Sequence, residues 1–118
     1  MTEQFPDDKS EGEARTVFHI LSASLHPHQS SEFADRTTAL LENVVAGLEG
    51  FVEGRVFEAD DRKAVIIITA WKTRHLWAQA HWNEQVQDLL AEYAESGAAF
   101  IDAMCYGKPK IVARSGND

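Results

Sequence analysis

Three histidines, three tryptophans and a tyrosine are spaced so that they could bring proton transfer to a flat aromatic molecule. His19 stands in the run Val17-Phe18-His19-Ile20-Leu21, where an extended chain puts it on one face with Val17 and Leu21. An imidazole in that setting is either buried against a hydrogen-bond partner or lining a cavity. Facing a cavity, it could act as a base towards a phenol or enol. Trp71 and Trp77, six residues apart, make either an aromatic wall for a planar substrate or a pair of core and subunit-contact residues. His75 precedes Trp82 by seven residues, which places both on one helix face and makes His75 a pocket candidate. His81 is in register with Gln85, Asp88 and Glu92, a polar stripe that puts it in solvent. A helix break near Trp82 would instead turn His81 inward as a proton acceptor. Tyr106 shares a strand face with Phe100, Asp102 and Met104 and is either a donor to a substrate oxygen or a rim residue. The candidates are therefore His19, His75 and Tyr106 for catalysis, with Trp71, Trp77, Trp82 and His81 for substrate binding.

Other chemistry is poorly served. His26 and His28 alternate on an extended segment and could share a metal, but catalytic zinc usually takes three protein ligands, so no metal site is assigned. Cys105 has no adjacent activating cation and reads as a small hydrophobe. There is no phosphate-cradling glycine loop, nucleophile elbow or dinucleotide fingerprint.

The elements that must position these groups follow from periodicity. Residues 15–23 are β-branched and aromatic over strand length and form a first strand. Pro27 interrupts a connection over 25–29. Ser30 or Ser31 then caps a helix running to about Ala46, with Phe33, Thr37, Leu40, Leu41 and Val44 on its buried stripe. Gly47 and Gly50 stop it, residues 51–58 form a second strand, and Asp60 to Lys63 is a hairpin tip. A second helix, capped by Thr73, has two apolar registers that do not join, which predicts a bend or break near Trp82 and Asn83. Gly97 ends it, residues 98–106 make a fourth strand, and a short extension follows at 111–112. The order β-α-β-β-α-β folds as a four-stranded antiparallel sheet with the helices on one face, the ferredoxin-like α+β class.

The third strand, Ala64-Val65-Ile66-Ile67-Ile68-Thr69-Ala70-Trp71, is apolar on both faces. Leaving one face wet would forfeit roughly 1.5–3 kcal/mol per Ile or Val. Two helices cover one side only, so a second copy of the chain is expected against the other.

Composition bounds the rest. The chain has 118 residues, 44% of them hydrophobic, and a formal net charge of -8, which suits one domain and disfavours nucleic acid or an anionic membrane as partner. One cysteine and an acidic N-terminus in place of a basic, then apolar leader fit the cytoplasm. Residues 1–14 read as a disordered acidic tail, 15–112 as a single domain and 113–118 as a polar C-terminal tail.

Two segments, LEGFVEGRVFEADD and VIIITAWKTRHLWAQAH, resemble the antibiotic biosynthesis monooxygenase family of dimeric α+β barrels. The first matches that family's glycine-aromatic entry into strand two, the second its strand three with a terminal Trp opening helix two. The resemblance covers about residues 15–112 and implies sheet-to-sheet homodimers with a pocket between helices and sheet in each subunit. It also implies oxidation of small aromatic, quinol or polyketide-type molecules by O2 without metal or flavin, O2 combining with the carbanion left by a base such as His19. Trp71 matches the strand-end Trp. The polyketide-oxidising members carry an Asn where this chain has Ile67 and a Tyr where it has Trp77. Haem-degrading members use a strand-one Asn that is missing from 18–24, a Trp where Ala80 stands and a His where Leu90 stands, which disfavours haem. The reading is thus a cofactor-independent monooxygenase-like enzyme, against a haem-binding or haem-degrading relative and a non-catalytic small-ligand-binding dimer.

Overall fold

β-Branched runs and capped amphipathic segments become eight elements in the computed structural model, which describes residues 16–107 with Ala113 and Gly116. They are strand β1 (Val17–Ser24), helix α1 (Pro27–Asn43), a 3-10 turn (Val45–Gly47), β2 (Phe51–Glu58), β3 (Ala64–Trp71), α2 (Arg74–His81), α3 (Glu84–Glu95) and β4 (Ala99–Tyr106). The expected tail at 1–14, the extension at 111–112 and most of the tail at 113–118 lie outside the described residues. The strands pair antiparallel in the order β2-β3-β1-β4, with the two apolar central strands in the middle. This is the ferredoxin-like α+β fold, its second helix divided into α2 and α3.

Two expectations about helices meet different outcomes. The first helix starts three residues before Ser30, with Pro27 in its first turn and His26 at the N-cap position. Pro27 does not block the helix because a first-turn residue needs no intrahelical N–H bond and proline's φ is already helical. Ser30 and Ser31 are not caps: both hydroxyls donate to the Glu58 carboxylate, at 2.6 Å and 3.0 Å, tying α1 to the end of β2. The break in the second helix falls where the two registers meet. Thr73 Oγ1 accepts from Leu76 N to cap α2, and Asn83 Oδ1 accepts from Gln85 N and Val86 N to cap α3.

The helices cover one face of the sheet, α1 over β2 and β3, α2 over β3. Phe33, Ala23, Val65, Ile67, Leu89 and Tyr93 form the larger core cluster beneath them, and Val17, Val45, Trp71 and Ala80 a second. Arg36 clamps α1 to α3 by donating from both terminal nitrogens to Glu92, at 2.7 Å and 2.9 Å. Gly50, at φ +90°, lets β2 begin directly under α2: a Cβ there would lie 2.6 Å from Leu76. The opposite face of the sheet carries Phe18, Ile20, Ile66, Ile68, Phe57 and Ile101, the last 74% exposed.

Candidate active site

Between the sheet and the three helices lies a cavity of about 110 Å³. A cavity of roughly 150 Å³ takes up benzene, and this smaller, partly open one suits nothing larger than a single ring. The sheet contributes His19, Leu21, Ile67, Thr69, Trp71 and Asp102. The helices contribute mostly hydrocarbon, including Phe33, Leu40 and Leu89, together with Thr37, Trp77 and His81.

His19 is fixed by a carboxylate. Its Nε2 lies 2.8 Å from Asp102 Oδ2, and its side chain is only 12% exposed while that of Asp102 is 53% exposed. In the strand register Asp102 sits opposite Leu21, so it reaches His19 along the diagonal between β1 and β4. An ionised carboxylate can only accept, so Nε2 donates, and the lone pair of neutral His19 is left on Nδ1. That is the arrangement of an oriented base whose positive form has a counter-charge waiting.

Trp77 stands between two imidazoles. Its ring centroid is 4.9 Å from that of His19 and 5.2 Å from that of His81, the latter pair stacked at 27°. His81, one turn after Trp77 on α2, faces the cavity at the end of that helix, and Gln87 Nε2 donates to its carbonyl across the break at 2.6 Å. Burial pushes the His81 pKa below the usual imidazole range; the charge of His19 adds to this and that of Asp102 opposes it. The shift favours the neutral form of the His81 imidazole. Trp71, only 3% exposed, packs edge-on against Phe51 and donates from Nε1 to Thr69 Oγ1 at 2.9 Å, so it is at once core residue and cavity wall.

Of the seven sequence candidates, His19, Trp71, Trp77 and His81 meet at the cavity, and His75, Trp82 and Tyr106 do not. His75 is exposed and hydrogen-bonds Gln79 at 3.1 Å. With Trp77 and His81 facing inward at i and i+4, His75 two residues earlier points nearly the opposite way. Trp82 falls in the break itself, so the seven-residue relation to His75 does not hold, and it is 74% exposed. Tyr106 is four residues beyond Asp102, about 13 Å along the strand, at the end of β4.

Two residues were not singled out in the sequence. On spacing alone Asp102 is only a neighbour of Tyr106 on one strand face. Spacing marks Thr37 as part of an apolar stripe, but its hydroxyl is buried with no hydrogen-bond partner among the described residues, an arrangement that costs about 1–3 kcal/mol. Among the described residues no group of three or more His, Cys, Asp or Glu side chains is placed to share a metal, and no helix is long and apolar enough to cross a membrane.

Residues 16–92 match the family described as antibiotic biosynthesis monooxygenase. Among solved structures, the chain is similar to SnoaB, a cofactor-independent oxygenase from Streptomyces nogalater, at 15% identity over 84% of this chain and 99% of that one, TM-score 0.64. It is similar to the ActVA-Orf6 monooxygenase of Streptomyces coelicolor, solved with nanaomycin D, at 11% identity over 85% and 94%, TM-score 0.68. A conserved protein of Bacteroides thetaiotaomicron, described as a possible oxidoreductase, matches at 12% identity over 78% and 97%, TM-score 0.68. No curated protein matches the chain.

Proposed function

The chain belongs to the antibiotic biosynthesis monooxygenase family, and from that premise we propose that it oxidises a small aromatic or quinol-type compound with O2, without metal or organic cofactor. The observation that carries the proposal is the His19–Asp102 pair, whose free Nδ1 belongs to a cavity-lining ring in an apolar enclosure. A purely structural pocket would be expected to close on its own side chains; this one stays partly open along an apolar wall.

The substrate ring lies against Trp77 and Trp71. His19 Nδ1 takes the phenolic proton, and Asp102 offsets the imidazolium charge. A ring carbon of the resulting anion, bearing one hydrogen, gives an electron pair to O2 and forms a C–O bond. His19 returns its proton to the outer oxygen, giving a hydroperoxide. Neutral His81 then removes the hydrogen from the oxygen-bearing carbon; the O–O bond breaks, a carbonyl forms, and hydroxide leaves and takes that proton as water. Phenol plus O2 thus becomes quinone plus water, one oxygen atom retained and one reduced.

Size sorts the alternatives. A fused polyketide needs more room than about 110 Å³, and the four-pyrrole macrocycle of haem several times more. The small volume favours the reading without haem, and no step is assigned to it. Sheet-to-sheet homodimerisation, supported by the apolar outer face, is part of the same proposal.

Oxygen uptake with a panel of phenols and quinols tests it. Wild type should consume O2 above buffer, and His19→Gln should lower the rate about 10²–10⁴-fold. Wild-type rates equal to buffer across the panel defeat it.

A further inference from the structure

The cavity has a second polar end. Of the buried side-chain atoms without a close hydrogen-bond partner among the described residues, only Thr37 Oγ1 belongs to a residue lining the cavity. A helical threonine usually satisfies its hydroxyl by donating to the carbonyl four residues back. Thr38 does so, bonding the Ala34 carbonyl at 2.9 Å; Thr37, one residue earlier, does not. Thr37 is only 4% exposed, so bulk water does not serve it.

It stands on a different element from the His19–Asp102 pair. Thr37 comes from α1, which packs over β2 and β3, whereas His19 and Asp102 occupy the β1–β4 half of the sheet. A hydroxyl both donates and accepts, so it can take a phenolic O–H or a carbonyl oxygen equally. We infer that Thr37 receives a second oxygen of the substrate, across the ring from the one that meets His19, so that the substrate class is a single ring oxygenated at both ends, a 1,4-dihydroxyarene or its 4-hydroxy carbonyl counterpart. This rests on the oxidation reading above for the chemistry at His19, and it adds the specificity-determining residue at the far end. Apart from Thr69, whose hydroxyl already accepts from Trp71 Nε1, and the rings of Trp77 and His81, the rest of the wall is hydrocarbon, and a second oxygen set against that hydrocarbon would be desolvated without compensation.

Anaerobic titration, read by quenching of tryptophan fluorescence, tests it with 1,4-dihydroxybenzene and 4-methylphenol as ligands. The ratio of their affinities in wild type should fall about tenfold towards 4-methylphenol in Thr37→Val, which keeps the shape and removes the hydroxyl, and Thr37→Ser should restore it. The unliganded Thr37→Val protein should melt at or above the wild-type temperature, because a buried group with no partner is lost. A ratio unchanged by Thr37→Val, a lower melting temperature, or no binding of either ligand overturns the inference. Oxygen uptake is scored separately: wild-type turnover of phenols with an unchanged ratio leaves the oxidation reading standing and removes this one, while a Thr37-dependent ratio without turnover does the reverse.

Discussion

The pair His19 and His81 share one cavity with one carboxylate, so each should feel changes in the others, and the signs are distinct. The His81 pKa is lowered first by burial and then by the charge of His19, while Asp102 raises it. Removing Asp102 as Asp102→Asn should therefore lower the His81 pKa further; removing the imidazole as His19→Gln should raise it. Two-dimensional NMR of the imidazole protons measures both, and a His81 titration that ignores either substitution contradicts the shared cavity. The same shift bears on stability. Unfolded His81 takes up its proton as pH falls through about 6.5 while the folded form still refuses it, so stability declines with acidification from there down to the folded pKa. His81→Gln should flatten that limb in pH-dependent denaturation. Glu58, held below the usual carboxylate range by Ser30 first, acts in a separate, more acidic window.

The elements succeed or fail to announce themselves according to how local their causes are. Strand β3 is legible because β-branched residues run unbroken through Val65 to Thr69, and the α2–α3 break because two apolar registers collide there. The start of α1 is not, since Pro27 reads equally as a stop and as a first-turn residue, and only the tertiary bond of Ser30 to Glu58 shows that the serine is not the cap. Asp102 is hidden for a stronger reason: it meets His19 across 83 residues, and the ferredoxin-like order sets β1 beside β4 without giving the register that puts Asp102 on the diagonal to His19. Thr37 escaped because spacing marks it as inward-facing but cannot say whether its hydroxyl is satisfied. The break also carries a prediction. Asn83→Ala removes the cap of α3 and should cost about 1 kcal/mol. Because Gln87 of α3 holds the His81 carbonyl across the same joint, fraying there should expose the imidazole and move its pKa up towards the ordinary value in the NMR titration. Gly50→Ala should cost more, roughly 1–3 kcal/mol, since it adds a positive-φ strain to a clash with Leu76 and pushes α2 away. Urea denaturation ranks the two; equal costs would deny Gly50 its role in seating α2.

At the scale of the whole molecule the outer face of the sheet is the feature that the protomer leaves unresolved. Four strands of eight residues make a face roughly 19 by 26 Å, broad enough for a modest but specific interface. Ile66 and Phe57 are 36% and 50% exposed on it, and Ile101 is 74% exposed. Each buried in full contributes roughly 1.5–3 kcal/mol, while the formal charge of -8 on each copy opposes association over the distance of a Debye length. The proposed homodimer should therefore tighten as salt rises, the opposite of an assembly held by ion pairs. Ile101→Lys separates association from folding, because a side chain already 74% exposed contributes little to the protomer's own core. Sedimentation equilibrium at micromolar concentration should give a dimer for wild type and a folded monomer for Ile101→Lys. Cys105 supplies an independent reading from the same face of β4: its thiol should react slowly with a disulfide reagent in wild type and quickly in Ile101→Lys. A wild-type chain that sediments as a folded monomer with a fast-reacting Cys105 would show that this face tolerates water.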